Sequence, residues 1–235
     1  MFDKSKISAV ILAGGIGSRM AAGTPKQYLE IGEKPILNYS IEAFENAGCI
    51  SEIILVVPAG QVEYCRENIV SQGNYKKITK IIEGGSTRQE SSYKGVSAVE
   101  ESGFIMIHDG ARPFIESVEI DKIGAELAEI DAVIMAVPVK DTIKKICGEK
   151  EIEGTLDRNG LWAAVTPQAF KRDLIIKAHE NAIAAGLQAT DDAALIEIIG
   201  EKVQILAGSY MNIKITTQED MVFAEAILAH RRKIS

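Results

Sequence analysis

The chain has 235 residues, about one and a half times the ~150 residues of a typical domain, which fits one large α/β domain with at most a small appendage. Its composition, 46% apolar and 25% charged, excludes a disordered or collagen-like chain. The longest apolar stretch, 132–139, is far shorter than the roughly 18 residues that cross a bilayer, which excludes a membrane-spanning helix. With 26 Lys and Arg against 33 Asp and Glu, the net charge of −7 gives no field for holding a nucleic acid, so an anionic ligand needs a local cationic cluster.

The cysteines, the histidines and the N-terminus carry no pattern of a metal centre or of export. Cys49, Cys65 and Cys147 match neither a zinc spacing nor a disulfide framework, which favours reduced thiols. The histidines show no spacing typical of a zinc site. The first residues run into a strand-like segment without a signal-peptide pattern, so we expect a cytoplasmic protein.

Strand-like and helix-like segments alternate along the chain. Continuous aliphatic and β-branched runs predict buried strands at Ile7 to Ala13, Glu52 to Val57, Lys80 to Ile82, Phe104 to His108, Ala132 to Val139 and Val203 to Leu206. Helical spacing lies between them at Ile36 to Ala47, Val62 to Ser71, Gln89 to Glu101, Ile120 to Glu129, Arg172 to Ala185, Asp191 to Ile199 and Gln218 to His230. This order predicts an α/β fold with a mostly parallel central sheet, helices covering it, and binding groups at the carboxyl ends of the strands.

One segment, 141–165, breaks this alternation. It is polar, rich in Thr and Ile and interrupted by Gly148 and Gly154, which predicts hairpin-like strands that project from the sheet as a β-arm. Because a projecting hairpin has few contacts with the core, we expect this arm to pack on a second copy of the chain in a homodimer. No linker divides the sequence, so we predict a single domain over 1–235 with a dimerisation arm at about 141–165.

A glycine-rich turn follows the first predicted strand. Gly14, Gly15 and Gly17 allow backbone N–H groups to approach an anion closely. Arg19 and Lys26 follow, and two cations beside such a turn suit a triphosphate, whose charge must be neutralised before an anionic nucleophile approaches. The turn fits neither a Walker A loop nor a dinucleotide fingerprint, which disfavours a nicotinamide-dependent oxidoreductase. A tight strand-to-helix connection without a ligand is the alternative.

The motif at 84–92, Gly-Gly-Ser-Thr-Arg-Gln-Glu-Ser-Ser, follows the third predicted strand and opens a helix. Its small hydroxyl residues are suited to capping that helix. In the functional interpretation, the Gly85 backbone and Arg88 contact a nucleobase and Ser91 contacts a ribose. The spacing leaves both interpretations open.

A carboxylate ends the fourth predicted strand, where a parallel sheet presents functional groups. Asp109 is therefore a candidate Mg²⁺ ligand, because Mg²⁺ prefers oxygen and commonly binds through one or two carboxylates plus substrate phosphates. In the alternative, Arg112 neutralises it. His108 fits a packing and hydrogen-bonding role better than that of a general base. Further along, Thr190 to Asp192 predicts the N-cap of an amphipathic helix.

A series of motifs in chain order carries a resemblance to a known family. They are LAGGIGSRM with PKQYL, GGSTRQES, HDGARPF, PVKDTIK, TLDRNGLW, TPQAF, TDDAALIE and NIKITTQED, and they span nearly the whole chain. Together they resemble the 2-C-methyl-D-erythritol 4-phosphate cytidylyltransferases of non-mevalonate isoprenoid biosynthesis. The resemblance implies a three-layer, Rossmann-like nucleotidyltransferase fold and transfer of a cytidylyl group from CTP to a polyol phosphate, with release of pyrophosphate.

The resemblance also implies roles for individual residues. Arg19 and Lys26 would be catalytic, stabilising charge on the α-phosphate, and Asp109 would lie near Mg²⁺. The implied CTP-binding residues are Ala13, Gly14, Gly15, Gly17, Gly85, Arg88 and Ser91. The implied polyol-phosphate residues are Arg112, Thr142, Arg158 and Lys214, with Thr142 and Arg158 reaching in from the arm of a second copy. Since a phosphate oxygen is already a nucleophile at neutral pH, positioning and electrostatics suffice without a general base.

Two alternatives to this function stay open. A ribitol-5-phosphate cytidylyltransferase has the same glycine turn and more often begins Leu-Ala-Gly-Gly, as here, whereas HDGARPF, DTIKK and TLDRNGLW resemble the methylerythritol family. A catalytically silent nucleotide-binding protein on the same fold is disfavoured because Arg19, Lys26, Asp109 and Lys214 are all present.

Overall fold

The computed structural model describes residues 3–14, 26–100 and 102–234. The strands in these ranges are β1 (Asp3–Leu12), β2 (Glu30–Ile31), β3 (Lys34–Pro35), β4 (Ile50–Val57), β5 (Ile78–Glu83), β6 (Ser102–Asp109), β7 (Ala132–Pro138), β8 (Lys144–Cys147), β9 (Glu151–Thr155), β10 (Trp162–Lys171) and β11 (Gln204–Ala207). The α-helices are α1 (Ile36–Asn46), α2 (Val62–Asn68), α3 (Arg88–Ser97), α4 (Ser117–Glu126), α5 (Arg172–Ala185), α6 (Asp192–Ile198) and α7 (Gln218–Ile234). Short 3₁₀ helices lie at Lys26–Tyr28, Val70–Gln72 and Arg158–Gly160. All the strands and helices predicted from the sequence are confirmed in their positions, within a few residues at their ends. The predicted burial is wrong for β5 and β11, which contain no buried residue. Both lie at the edges of the sheet, where only one neighbouring strand covers them.

The central sheet has the strand order β11-β7-β10-β6-β1-β4-β5. Its neighbours pair in parallel except at β10, which is antiparallel to both β6 and β7. Buried parallel strands are expected to be apolar on both faces, and β1 and β4 follow this pattern in their carboxyl halves, as β6 does from Ile105 to Ile107. The predicted mostly parallel sheet is confirmed.

Helices cover both faces of this sheet because successive side chains of a strand point in opposite directions. From β1, Ala9 and Ile11 pack with apolar residues of α1 and α4, whereas Val10 and Leu12 pack with residues of α3, α5 and α6. The result is the predicted three-layer arrangement. A third, smaller cluster joins α7 to the β2–β3 ribbon.

Strand β10 is the element that the sequence pattern did not predict. Its first residues, up to Val165, fall in the predicted arm, and Pro167 lacks the N–H that a central strand needs. In the structure, ladder pairing with β7 breaks between Ala164 and Gln168. Pro167 lies in that break, where no ladder hydrogen bond from its nitrogen is needed, so the strand tolerates it in the middle of the sheet. The Thr166–Pro167 peptide bond is cis.

The predicted arm contains a hairpin that is separate from the central sheet. β8 and β9 pair only with each other, and Ile146 and Ile152 are 58% and 60% exposed. Its role in a dimer stays a prediction. In the described ranges, no helix combines the length and the apolar character needed to span a bilayer.

Candidate active site

A cleft of about 290 Å³ opens at the carboxyl ends of β1, β5 and β6. It is lined by Leu12, Ala13, Gly14, Gln27, Gly85, Ser86, Thr87, Arg88, Ser91, Asp109, Ala111 and Lys214. β1 and β6 are neighbours, but the chain continues from β1 towards β4 and from β6 towards the opposite edge of the sheet. The cleft therefore lies at the topological switch point, where open α/β sheets bind their ligands.

The loop between β5 and α3 forms one wall of the cleft and is held by its own side chains. Thr87 caps α3 by accepting a hydrogen bond from the Glu90 N–H at 3.1 Å, so the capping interpretation of the motif is confirmed for this residue. Ser91 Oγ accepts from the Gly85 N–H at 3.0 Å and donates to the Thr87 carbonyl at 2.8 Å. A Cβ at Gly85 would lie 2.3 Å from Glu90 Cβ, so the loop can close against the helix only with glycine there. The contact of Ser91 with a ribose stays a prediction.

Asp109, the last residue of β6, is surrounded by cations. Its Oδ1 accepts from Arg88 Nε at 3.1 Å and its Oδ2 from Lys214 Nζ at 2.8 Å, while Arg112 Nε lies 3.7 Å from Oδ2. Burial alone would raise the pKa of Asp109, but Arg88, Lys214 and Arg112 outweigh it and hold the pKa well below its usual range. The predicted neutralisation of Asp109 by Arg112 is thus a minor part of a larger cluster. In this cluster, three positively charged side chains surround one carboxylate.

A second carboxylate binds Arg88 from the protein interior. Asp192, the first residue of α6, is fully buried, and its Oδ2 accepts from Arg88 Nη1 at 2.8 Å. Its Oδ1 accepts from Ser92 Oγ at 2.5 Å and lies 3.4 Å from His179 Nε2. Burial raises the pKa of Asp192, but the charge of Arg88 outweighs this effect, so the carboxylate stays ionised. Arg88 is therefore fixed between the cleft and the protein interior.

The predicted N-cap of α6 is confirmed at Asp191. Its Oδ1 accepts from the Ala194 N–H at 3.0 Å, and its Oδ2 accepts from Gln168 Nε2 at 2.8 Å. Gln168 Oε1 in turn accepts from the backbone N–H groups of Asp192 and Ala193, each at 3.1 Å. β10 thus attaches the start of α6 to the sheet, and this attachment aims Asp192 at Arg88.

His108 lies behind Asp109 in a network that determines its protonation. Its Nε2 faces the Arg112 carbonyl at 3.2 Å, which can only accept, so Nε2 carries the proton. Its Nδ1 then accepts from Thr166 Oγ1 at 3.0 Å, and Thr166 Oγ1 accepts from the Asp109 N–H at 3.0 Å. Burial lowers the pKa of His108 to about 4. The ring is neutral near pH 7 and positions Asp109, in agreement with the expected hydrogen-bonding role.

Asn212 connects the same network to the loop that carries Lys214. The Asn212 Nδ2 donates to the Thr166 backbone carbonyl at 2.8 Å, and the Asn212 backbone carbonyl accepts from Arg112 Nη1 at 2.8 Å. Next to it, the Ile215 N–H donates to the Ala111 carbonyl at 2.8 Å. These bonds hold the segment before α7 against the end of β6, where Lys214 can reach Asp109.

The structure brings many of the predicted site residues together. Ala13, Gly14, Gly85, Arg88, Ser91, Asp109 and Lys214 all line the cleft, and Arg112 lies directly behind Asp109. Thr142 and Arg158 are exposed on the arm segment and do not line the cleft of their own chain. Gly15, Gly17 and Arg19 lie outside the described residues, as does the side chain of Lys26. Sequence reasoning missed Asp192 and Gln27, because only the tertiary fold shows that their side chains are buried beside the cleft.

The described residues that line the cleft offer one carboxylate ligand for a magnesium ion. In the described ranges, no group of three or more His, Cys, Asp or Glu side chains could hold a metal by itself. Asp109 supplies the one carboxylate among the described residues that line the cleft. Since Mg²⁺ commonly binds through one or two carboxylates plus substrate phosphates, this donor set fits an ion that arrives with a triphosphate.

Comparisons with known proteins agree with this geometry. A sequence model of the family described as "IspD: 2-C-methyl-D-erythritol 4-phosphate cytidylyltransferase" matches residues 7–230. Proteins of that name from Desulforamulus reducens and Alkaliphilus oremlandii are each 44% identical, over 96% and 99% of this chain and 97% and 99% of their own lengths. The crystal structure of 4-diphosphocytidyl-2C-methyl-D-erythritol synthase from Anaerococcus prevotii superimposes with a TM-score of 0.85 at 35% identity, covering 97% of this chain and 98% of its own.

The fold and the cation-lined cleft at its switch point, together with these matches, define an α/β nucleotidyltransferase of the Rossmann-like type. Within that class, the chain belongs to the 2-C-methyl-D-erythritol 4-phosphate cytidylyltransferase family. The ribitol-5-phosphate alternative is not favoured.

The buried pair of Arg88 and Asp192 predicts unequal effects at two adjacent aspartates. Asp192→Asn removes the fully buried counterion of Arg88 and leaves it only Asp109, which Lys214 and Arg112 share, so we expect the free energy of unfolding to fall by about 3 kcal/mol. Asp191→Asn keeps the N-cap bond from Ala194 but loses the hydrogen bond from Gln168, so it should cost less, about 1 kcal/mol. Urea denaturation of both variants measures the difference. Equal losses would show that Asp192 contributes no more than the cap.

His108 predicts a pH dependence of stability. Its pKa is about 4 in the folded chain, against about 6.5 for an unfolded His, so the unfolded state binds more protons between these values. The contribution of His108 is therefore fully present above about pH 6.5, and the free energy of unfolding should fall by up to about 3 kcal/mol as the pH drops to about 4.

Urea denaturation at a series of pH values tests this dependence. His108→Gln should flatten the slope between pH 4 and 6.5, whereas His230→Gln, at an exposed position of α7, should keep it. A slope that is the same in His108→Gln and the wild type would exclude His108 as its source.

Proposed function

We propose that this chain transfers a cytidylyl group from CTP to 2-C-methyl-D-erythritol 4-phosphate, giving 4-diphosphocytidyl-2-C-methyl-D-erythritol and pyrophosphate in isoprenoid precursor biosynthesis. Family membership over nearly the whole chain supports the substrates. The observation that carries the chemistry is the convergence of Arg88, Arg112 and Lys214 on Asp109 at the end of β6. Such a cluster lowers the repulsion between two phosphate groups that must meet.

In the proposed reaction, an oxygen of the acceptor phosphate attacks the α-phosphorus of CTP. A new P–O bond forms, the bond between the α-phosphorus and the bridging oxygen breaks, and pyrophosphate leaves with that oxygen. No proton has to be removed from the nucleophile, so the cleft needs charge stabilisation and alignment rather than a base. This agrees with the buried, neutral His108 behind Asp109.

The two ends of the cleft are assigned to the two substrates. The backbone at Ala13, Gly14 and Gly85, with Arg88 and Ser91, would bind CTP, and Gly15 and Gly17 would complete the phosphate turn. Arg19 and Lys26 would stabilise the charge that develops on the α-phosphate. Lys214, whose side chain is 35% exposed, and Arg112 would face the acceptor phosphate.

Asp109 would be the protein ligand of Mg²⁺. When bound, the ion would neutralise part of the triphosphate charge and stabilise pyrophosphate as a leaving group. Lys214 and Arg88 already balance the Asp109 carboxylate, so a bound ion would share this carboxylate with them.

We further propose that the arm completes the site of a second copy in a homodimer. Thr142 and Arg158 are exposed, and Arg158 Nη1 donates to the Lys140 carbonyl of its own arm at 2.6 Å. Neither residue lines the cleft of its own chain, so contacts with the acceptor would come from another copy. The exposed Ile146 and Ile152 give the arm an apolar surface for this packing.

Cys49, Cys65 and Cys147 are unpaired, which supports a reducing, cytoplasmic location.

Pyrophosphate release tests the activity. The four nucleoside triphosphates are each combined with methylerythritol phosphate, ribitol 5-phosphate and sugar 1-phosphates, and we expect fast release only from CTP with methylerythritol phosphate. Lys26→Ala, the control for the chemical step, should fold normally and release pyrophosphate at least ~100-fold more slowly, as for the loss of one charge-stabilising donor. Release with ribitol 5-phosphate at an equal rate, or an unimpaired Lys26→Ala variant, would contradict the assignment.

Mixed dimers test the shared site. Lys214→Ala removes a cleft cation and Arg158→Ala removes an arm cation, so each variant alone should be nearly inactive with the acceptor. Arg158→Ala should nevertheless bind CTP like the wild type. In an equal mixture with exchanging subunits, half of the dimers carry one intact site, and activity should return to about a quarter of the wild-type value. If each arm serves its own chain, the mixture stays inactive.

A further inference from the structure

Gln27 is buried in the wall of the cleft, and its side chain makes no hydrogen bond with the residues that the structure describes. It lies in the 3₁₀ helix Lys26–Tyr28, directly after Lys26, and is 1% exposed. Neither its Nε2 nor its Oε1 has a hydrogen-bond partner in the described part of the chain. Buried polar groups are nearly always paired, so an amide that lines a cleft and lacks partners on both atoms points to a ligand.

Gln168 shows what a structural glutamine looks like in the same protein. It is also 1% exposed, but its Nε2 donates to Asp191 and its Oε1 accepts from two backbone N–H groups at the start of α6. The neighbour of Gln27, Tyr28, packs in the core next to Tyr64 and Cys65. Tyr28 thus occupies the core side of this short helix, whereas Gln27 lines the cleft.

The chemistry of an amide restricts the group that it can bind. A phosphate oxygen only accepts hydrogen bonds, so it would pair with Nε2 and leave Oε1 unsatisfied. A hydroxyl both donates and accepts, and two adjacent hydroxyls can pair with both amide atoms at once. The ribose of CTP and the polyol of the acceptor each carry such a pair of hydroxyls. Both flank the α-phosphate, the group assigned to the adjacent Lys26, whereas the nucleobase is assigned to the loop of Gly85 and Arg88.

We propose that Gln27 is a substrate-binding residue whose side-chain amide hydrogen-bonds a pair of adjacent hydroxyl groups, on the ribose of CTP or on the polyol of the acceptor. This assignment rests on the proposed function for the identity of the two ligands. The amide stays unpaired in the free protein and gains its partners when the substrate enters. Gln27 thereby favours hydroxyl-bearing substrates, because a ligand without these groups leaves the buried amide unsatisfied.

Gln27→Met tests the assignment, with Gln168→Met as the matched control. Methionine has nearly the same length as glutamine without its polar atoms. Because the Gln27 amide has no partners to lose, the melting temperature of the free Gln27→Met protein should equal or exceed that of the wild type. Gln168→Met should melt lower, since it breaks three hydrogen bonds. Affinity for one substrate should fall about tenfold or more in Gln27→Met, as for the loss of hydrogen bonds to a buried group.

Calorimetric titration with CTP, and separately with methylerythritol phosphate, identifies the substrate. A ribose contact lowers the affinity for CTP, and the difference in affinity between wild type and variant then shrinks with 2′-deoxy-CTP and with 3′-deoxy-CTP, each of which lacks one of the two hydroxyls. A polyol contact lowers only the affinity for the acceptor. These are binding measurements, so they stand even if turnover fails and the proposed function is wrong.

Two results would overturn the proposal. One is an unchanged affinity of Gln27→Met for both ligands. The other is a drop in melting temperature as large as that of Gln168→Met, which would show a structural amide. If Gln27→Met does not fold, Gln27→Asn, which keeps the amide but withdraws it by one methylene, should show the same loss of affinity for one ligand.

Discussion

The charge balance along Asp109, Arg88 and Asp192 is the interaction on which the rest of the site depends. One guanidinium bridges a carboxylate at the edge of the cleft and a carboxylate in the interior, and each ion is stable there only because the others are present. With Lys214 and Arg112 added, cations outnumber carboxylates in this cluster. The protein thus maintains an excess of positive charge in a partly buried cleft, where it acts on phosphates more strongly than on a solvated surface.

The sequence was sufficient for most of the fold because buried parallel strands are continuous apolar runs. β1 and β4 are recognisable in this way, and the helices between them by their spacing. β10 was not recognisable, since it begins with exposed residues and continues as a buried segment that contains Pro167. Its place in the centre of the sheet depends on pairing with β6 and β7, which lie far away in sequence. Long-range pairing of this kind leaves little local signal.

The site could be predicted where its residues lie at the ends of strands. Gly14, Gly85 and Asp109 follow or end strands of the central sheet, so their meeting at one edge of the sheet follows from topology. Asp192 and Gln27 could not be assigned in this way. Whether an aspartate at the start of a helix caps it or points into the core, and whether a glutamine has partners, depends on side-chain direction and on the neighbours that the fold brings.

The late position of β10 in the chain has a consequence for folding during synthesis. β6 and β7 have no contact in the sheet except through β10, which begins at residue 162. Until that segment leaves the ribosome, β6 presents an unpaired, strongly apolar edge of the kind that pairs with other nascent chains. The first half of the protein is therefore expected to depend on chaperone protection, or on fast emergence of the second half, to avoid aggregation.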